Sequence, residues 1–139
     1  MRLAPDFGID MHPDAAAFER EPVLRVVHPA KIQGDAIAGQ TWIVLAAAGD
    51  TGGAFSMYRV AVPPGEPAPQ PFESDVALYA VAGTLGMEAG DDIVEAAPGT
   101  LAQVPAHTPL AFRGTGDQRA TMLIWAAPAH DLPATVAAP

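Results

Sequence analysis

The chain contains no cysteine. Disulfides, thiolate metal sites and cysteine nucleophiles are therefore excluded. Positive charge is scarce: Lys31 is the only lysine, and 7 Lys and Arg face 16 Asp and Glu, for a net charge of −9. Without a basic stripe a chain cannot neutralise a phosphate backbone, so no nucleic-acid partner is expected. An anionic membrane surface is disfavoured for the same reason. Long apolar runs are missing too. No stretch approaches the roughly 20 residues of a membrane-spanning helix. The opening MRLAPDFGIDMHPD has no apolar run after its arginine, unlike a signal peptide. A soluble cytoplasmic protein is the expectation. There is also no serine in a glycine elbow, no phosphate-cradling glycine loop and no dinucleotide fingerprint.

What is present suits one domain. Of 139 residues, 50% are hydrophobic and 17% charged, enough apolar material for a core. Pro and Gly, 15 and 13 in number, leave little room for long helices. Between them lie strand-length runs: VLRVVH (23–28), TWIVLAAA (41–48), AFSMYRVAV (54–62), VALYAVAG (76–83), TLAQV (100–104), PLAFR (109–113) and ATMLIWA (120–126). GDTGG, PPGEPAP, EAGDD, APG and RGTGD separate them as turn signals. Many short strands with such turns predict an all-β barrel or sandwich. DAAAFER (14–20), after Pro13, is predicted to make one helical turn or two. The expected organisation is an arm over 1–20, a barrel over 21–128 and a loosely held tail over 129–139.

Several strands are apolar on both faces. In ATMLIWA, Met122 and Ile124 point one way, Leu123 and Trp125 the other. A half-solvated sheet alternates with polar residues instead. One face is read as a barrel interior and the other as a subunit interface, so a homodimer is expected. A larger sheet sandwich is the alternative.

Residues 53–128 resemble the cupin superfamily, above all its small quercetin-dioxygenase-like bacterial members. The family's first motif is G-x5-H-x-H-x3-4-E-x6-G. Here PPGEPAPQPFESDVALYAVAGTL carries Gly65 and the closing Gly83. The second motif is G-x5-7-P-x-G-x2-H-x3-N, matched by Gly99 and Pro105 in GTLAQVPAHTPLAFRGTG. The resemblance implies a double-stranded β-helix, or jelly-roll barrel.

The metal-ligand positions of that family all depart here. The glutamate position is Val76. The paired histidine positions fall on Gln70 and Phe72, or on Pro69 and Pro71; counted from Gly65 they fall on Pro71 and Glu73. The last histidine position is Leu110, the asparagine Gly114, and the glycine before them His107. A first-row metal needs three or four converging N, O or S donors. No bound metal or other cofactor is expected. A nonstandard site from His107, Glu73 and Gln70 is the alternative.

The candidate catalytic residues are His107, Glu73 and Tyr58. His107 sits in a predicted mouth loop, and imidazole exchanges protons near neutral pH. A surface-loop histidine is the bland alternative. Glu73, like Asp75, lies on the loop that the resemblance assigns to ligands. Tyr58 and Arg59 face opposite ways, and the pattern does not decide which is inside. Candidate ligand contacts are Gln70, Phe72, Val76, Leu78, Leu110, Phe112, Trp42, Met57 and Met122. Gln103 joins them as a mid-strand amide among apolar residues, which when buried needs a partner. His12, His28 and His130 read as structural or surface.

The expected partner is a small, largely apolar organic molecule in the barrel. The expected chemistry is a metal-free cyclisation, isomerisation or dehydration, and the resemblance adds natural-product pathways as a setting. The alternatives are a non-catalytic binding barrel and a metal-dependent dioxygenase or isomerase.

Overall fold

In the run from Ser56 to Val62 alternate residues are buried, and the chain extends into a strand that serves two faces. The same rule builds most of the molecule. The computed structural model describes residues 24–65 and 69–137. Its strands are β1 (Asp35–Ile37), β2 (Gln40–Ala46), β3 (Ser56–Val62), β4 (Gln70–Pro71), β5 (Asp75–Ala82), β6 (Leu85–Ala89), β7 (Asp92–Ala96), β8 (Leu101–Val104), β9 (Pro109–Gly114) and β10 (Ala120–Ala127). A helix, α1 (Leu132–Ala137), follows.

The strands form two antiparallel sheets. One has the order β1-β2-β3-β10-β5-β8, the other β4-β9-β6-β7. The non-sequential neighbours are the crossovers of a jelly-roll barrel. The core lies between the sheets. Trp42, Val60, Leu78, Met122 and Ile124 come from the first sheet, and Leu85, Met87, Leu110 and Phe112 from the second. Among the described residues no helix is long and apolar enough to cross a membrane.

Two turns show why the chain folds this way. Ala38 and Gly39 both take positive φ, 53° and 80°, between paired Ile37 and Gln40. That is the mirror-image two-residue turn whose twist suits a hairpin. Gly83 has φ 71°, and a Cβ there would stand 2.7 Å from the Arg119 carbonyl. Glycine is required at that position twice over, by backbone conformation and by space.

Several expectations need correction. Of the run predicted as a strand over 23–28, residues 24–28 form none. Arg25 instead hydrogen-bonds the Leu45 carbonyl at 2.9 Å and pairs with Asp50 at 3.2 Å. The β6–β7 hairpin was not anticipated, because DIVEA is a mostly exposed edge strand without clean alternation. Over its described residues, 129–137, the tail is not loose: Leu132 is fully buried in the core, and Val136 packs against it. Asp131 accepts a hydrogen bond from the Ala134 N–H and starts α1. The predicted helical turn over 14–20 lies outside the described residues.

Candidate functional site at the barrel mouth

The phase of β3 decides what faces inward. Ser56, Tyr58, Val60 and Val62 are buried, while Met57, Arg59 and Ala61 lie on the outer face. Strand pairing then stacks the interior in layers. Ser56 stands opposite Ala126, which pairs with Val76 and through it with Val104. Tyr58 pairs with Ile124, then Leu78, then Ala102. The Ser56 layer is the one nearest the end of the barrel where β3 and β5 begin and β10 ends.

At that end lies a concavity of about 500 Å³, lined by Val44, Ala48, Ser56, Tyr58, Ala129 and His130 among others. Its floor carries a hydrogen-bonded clamp. The Ser56 hydroxyl donates to the His130 carbonyl at 2.7 Å, and the His130 N–H donates back to Ser56 Oγ at 3.1 Å. The Tyr58 hydroxyl donates to the same carbonyl at 2.9 Å. The His130 ring places Nε2 3.3 Å from Thr135 Oγ1.

The positions that the cupin resemblance assigns to metal ligands do not fit a metal ion. Phe72, Val76 and Leu110 are 2%, 4% and 1% exposed and belong to one apolar cluster. None has a donor atom. Among the described residues no three His, Asp or Glu side chains converge into a metal-binding group.

The other candidates divide by position. Leu78, Phe112, Trp42 and Met122 sit in the packed core, which makes them supports of the barrel rather than walls of the open concavity. The Trp42 indole N–H is taken by Gln40 Oε1 at 2.9 Å, and its ring meets Tyr58 edge-on with centroids 5.5 Å apart. Gln70 is half-buried and pairs with Leu110 across β4 and β9. Glu73 is exposed. His107 is exposed with φ 67°, and its N–H bonds the Phe72 carbonyl at 2.7 Å. That left-handed backbone explains why the resembling motif has glycine there. Asp75 uses Oδ1 to accept the Ala106 N–H, holding the same loop.

Two candidates are misplaced by the sequence reading. Met57 faces away from Tyr58, so it is not an interior wall. Gln103 is exposed on the outer face, because Val104 takes the inward phase of β8. It helps line a second, outer groove of about 390 Å³ with Asp75, Ala77 and Trp125. The sequence reading also missed Ser56 and undervalued His130. One signal was available: hydroxyls at positions 56 and 58 of an apolar strand share a face and need an acceptor inside.

No family model matches the chain, and no curated protein matches it significantly. Solved structures do. The polyketide cyclase RemF from Streptomyces resistomycificus superposes with a TM-score of 0.65 over 76% of this chain and 80% of that one, at 21% identity. Ectoine synthase from P. lautus gives 0.66 over 77% and 80%, at 18% identity. A cupin-like protein from Thermotoga maritima gives 0.59 over 64% and 68%, at 12% identity. Likeness at these identities speaks for the fold alone.

Proposed function

The chain is a cupin-fold barrel, and from that premise we propose that it acts without a metal ion on a small, largely apolar organic molecule held at the barrel mouth. One observation carries the reading: of the four expected ligand positions, three are buried apolar side chains, Phe72, Val76 and Leu110, and the fourth is the half-buried amide Gln70. Losing one ligand of a set would strand its buried partners, at about 1–3 kcal/mol each. Exchanging most of the set for apolar groups that pack together avoids that cost, and the room for a guest is the concavity at the barrel end, with Val44, Ala47, Ala48 and Ala129 as small apolar walls.

The chemistry that fits is a cyclisation, isomerisation or dehydration, as in secondary metabolism. Such reactions run on orientation and one proton-transfer group. The polyketide cyclase among the similar folds supports this direction without fixing a substrate. A second reading, a binding barrel without catalysis, is favoured by the clamp: the Ser56 and Tyr58 hydroxyls both donate to backbone and are spent as donors.

The test has two parts. Elemental analysis of protein purified without added metal is expected to find far less than one transition metal per chain. Stoichiometric iron, nickel, manganese or zinc would overturn the metal-free reading. Incubation with polyketide-like and terpenoid-like substrates then separates catalysis from binding by whether product forms with the purified protein alone.

We also propose a homodimer through the outer face of the six-stranded sheet. One rung of that face reads Ile43, Arg59, Leu123, Tyr79, Leu101 and the next Met57, Trp125, Ala77, Gln103. A face this apolar suits a second copy of itself across a twofold axis.

A further inference from the structure

Three hydrogen bonds from one strand converge on the backbone of a single distant residue. Ser56 and Tyr58 of β3 hold both the N–H and the carbonyl of His130, 74 and 72 residues away. Closing the barrel end does not need them, since fully buried Leu132 already plugs the core two residues on. What the clamp adds is a fixed place for the side chain of residue 130. That side chain is an imidazole, and residue 130 lines the mouth concavity.

Thr135 Oγ1, one helical turn away, engages Nε2 at 3.3 Å. Among the described residues Nδ1 has no partner, so it is the ring nitrogen left for a guest. If Thr135 donates to Nε2, Nδ1 carries the proton and donates. If Nε2 donates to Thr135, Nδ1 is bare and accepts. A hydroxyl satisfies either arrangement, because it both donates and accepts.

The surroundings narrow the guest further. Ala47, Ala48, Gly49 and Ala129 give the concavity small apolar walls. Asp131 lines it too, and the chain carries a net charge of −9, which disfavours an anion. Arg25, near the same end, is paired with Asp50.

We propose that His130 is the ligand-reading group of the barrel mouth, hydrogen-bonding a hydroxyl on an otherwise apolar, uncharged molecule, with Thr135 as its positioning residue. This rests on the reading that the mouth accepts an apolar guest.

The probes are 2-naphthol and naphthalene, which share a ring system and differ by one hydroxyl. The full chain is expected to bind 2-naphthol up to about tenfold tighter, the scale of one desolvated hydrogen bond. His130→Ala removes that preference and leaves naphthalene affinity within about twofold. The clamp uses the backbone of residue 130, so this variant keeps its anchor. Thr135→Val weakens the preference and Thr135→Ser restores it, a rescue that a merely structural threonine would not need. In the unaltered protein, the nitrogen resonance of His130 Nδ1 shifts far more with 2-naphthol than with naphthalene, as hydrogen bonding does and a ring current does not, a readout independent of any variant's folding. Equal binding of both probes, with His130 unmoved, overturns the proposal and leaves the apolar mouth standing. Failure of both probes to bind the unaltered protein overturns the apolar-guest reading itself, and this proposal with it.

Discussion

The two faces of the six-stranded sheet are both apolar, yet they differ in what they meet. The inner face presents Val60, Met122 and Ile124, all 0% exposed. The outer face presents Leu123 and Trp125 half-buried, with Tyr79 and Leu101 exposed. The same strands, β3, β5 and β10, supply both. Hydropathy alone therefore does not identify the core. The inner face is closed by the second sheet and α1, and each side chain there has neighbours on all sides. Among the described residues the outer face is left partly open, with Tyr79 and Leu101 exposed. Removing volume inside leaves a cavity, while removing it outside leaves solvent.

The largest expected effect tests that contrast directly. Ile124→Ala should lower unfolding stability by about 2–5 kcal/mol, since the packed interior cannot collapse onto the vacated space. Leu123→Ala, its neighbour on the other face, should cost the isolated chain well under half as much. Urea denaturation of both variants at low protein concentration measures the pair. Equal losses would mean that the outer face is as enclosed as the inner one.

Leu132→Ala comes next, at about 2 kcal/mol, because a short terminal helix relaxes onto the gap more readily than a central strand does. The same denaturation curves check it, and hydrogen exchange in α1 should rise first. A variant indistinguishable from the parent would mean that the tail is not part of the core.

The sequence made much of the barrel legible. The runs over 54–62, 76–83, 109–113 and 120–126 match β3, β5, β9 and β10 to within two residues at either end. They were legible because β-branched and aromatic residues meet glycine and proline turns there. β4 was not, because two residues with a proline carry no propensity signal. β7 was not, because Ile93 and Val94 are both exposed and break the alternation.

For the site, counting back from Gly83 pointed to Phe72 and Val76, and the spacing from Gly99 and Pro105 to Leu110, since that argument needs only sequence intervals, whereas counting from Gly65 pointed to Pro71 and Glu73. It did not reach the clamp. Hydrogen bonds from Ser56 and Tyr58 to a backbone carbonyl beyond position 120 depend on where the chain returns, and no local pattern records that. Met57 and Gln103 were misplaced for a related reason. A strand that is apolar on both sides gives no parity, and only the facing sheet decides which residues turn inward.

The clamp itself should be worth less than the core. Ser56→Ala removes a donor to the His130 carbonyl and the acceptor of its N–H, leaving that N–H without its described partner, for a loss of about 1–3 kcal/mol. Tyr58→Phe should cost only about 1 kcal/mol, because Ser56 still satisfies the carbonyl. Thermal unfolding of the two variants ranks them. The reverse order would place the anchoring of residue 130 on the tyrosine rather than on the serine.

The smallest effect on the fold falls on the outer face, where the effect on assembly should be greatest. Trp125→Arg places a charge among half-exposed residues and leaves the packed interior untouched, so monomer stability should move by about 0.5 kcal/mol or less. In a twofold interface the same substitution sets two cations near each other in a desolvated patch, which association cannot tolerate. Light scattering is expected to give twice the chain mass for the parent and the single chain mass for the variant. The parent's unfolding temperature should also rise with protein concentration and the variant's should not, because a partner that binds only the folded state stabilises it by mass action. A parent that stays monomeric at high concentration would remove the second copy as the reason for this face. Its apolar rungs would then be no more than the reverse side of strands chosen for the core.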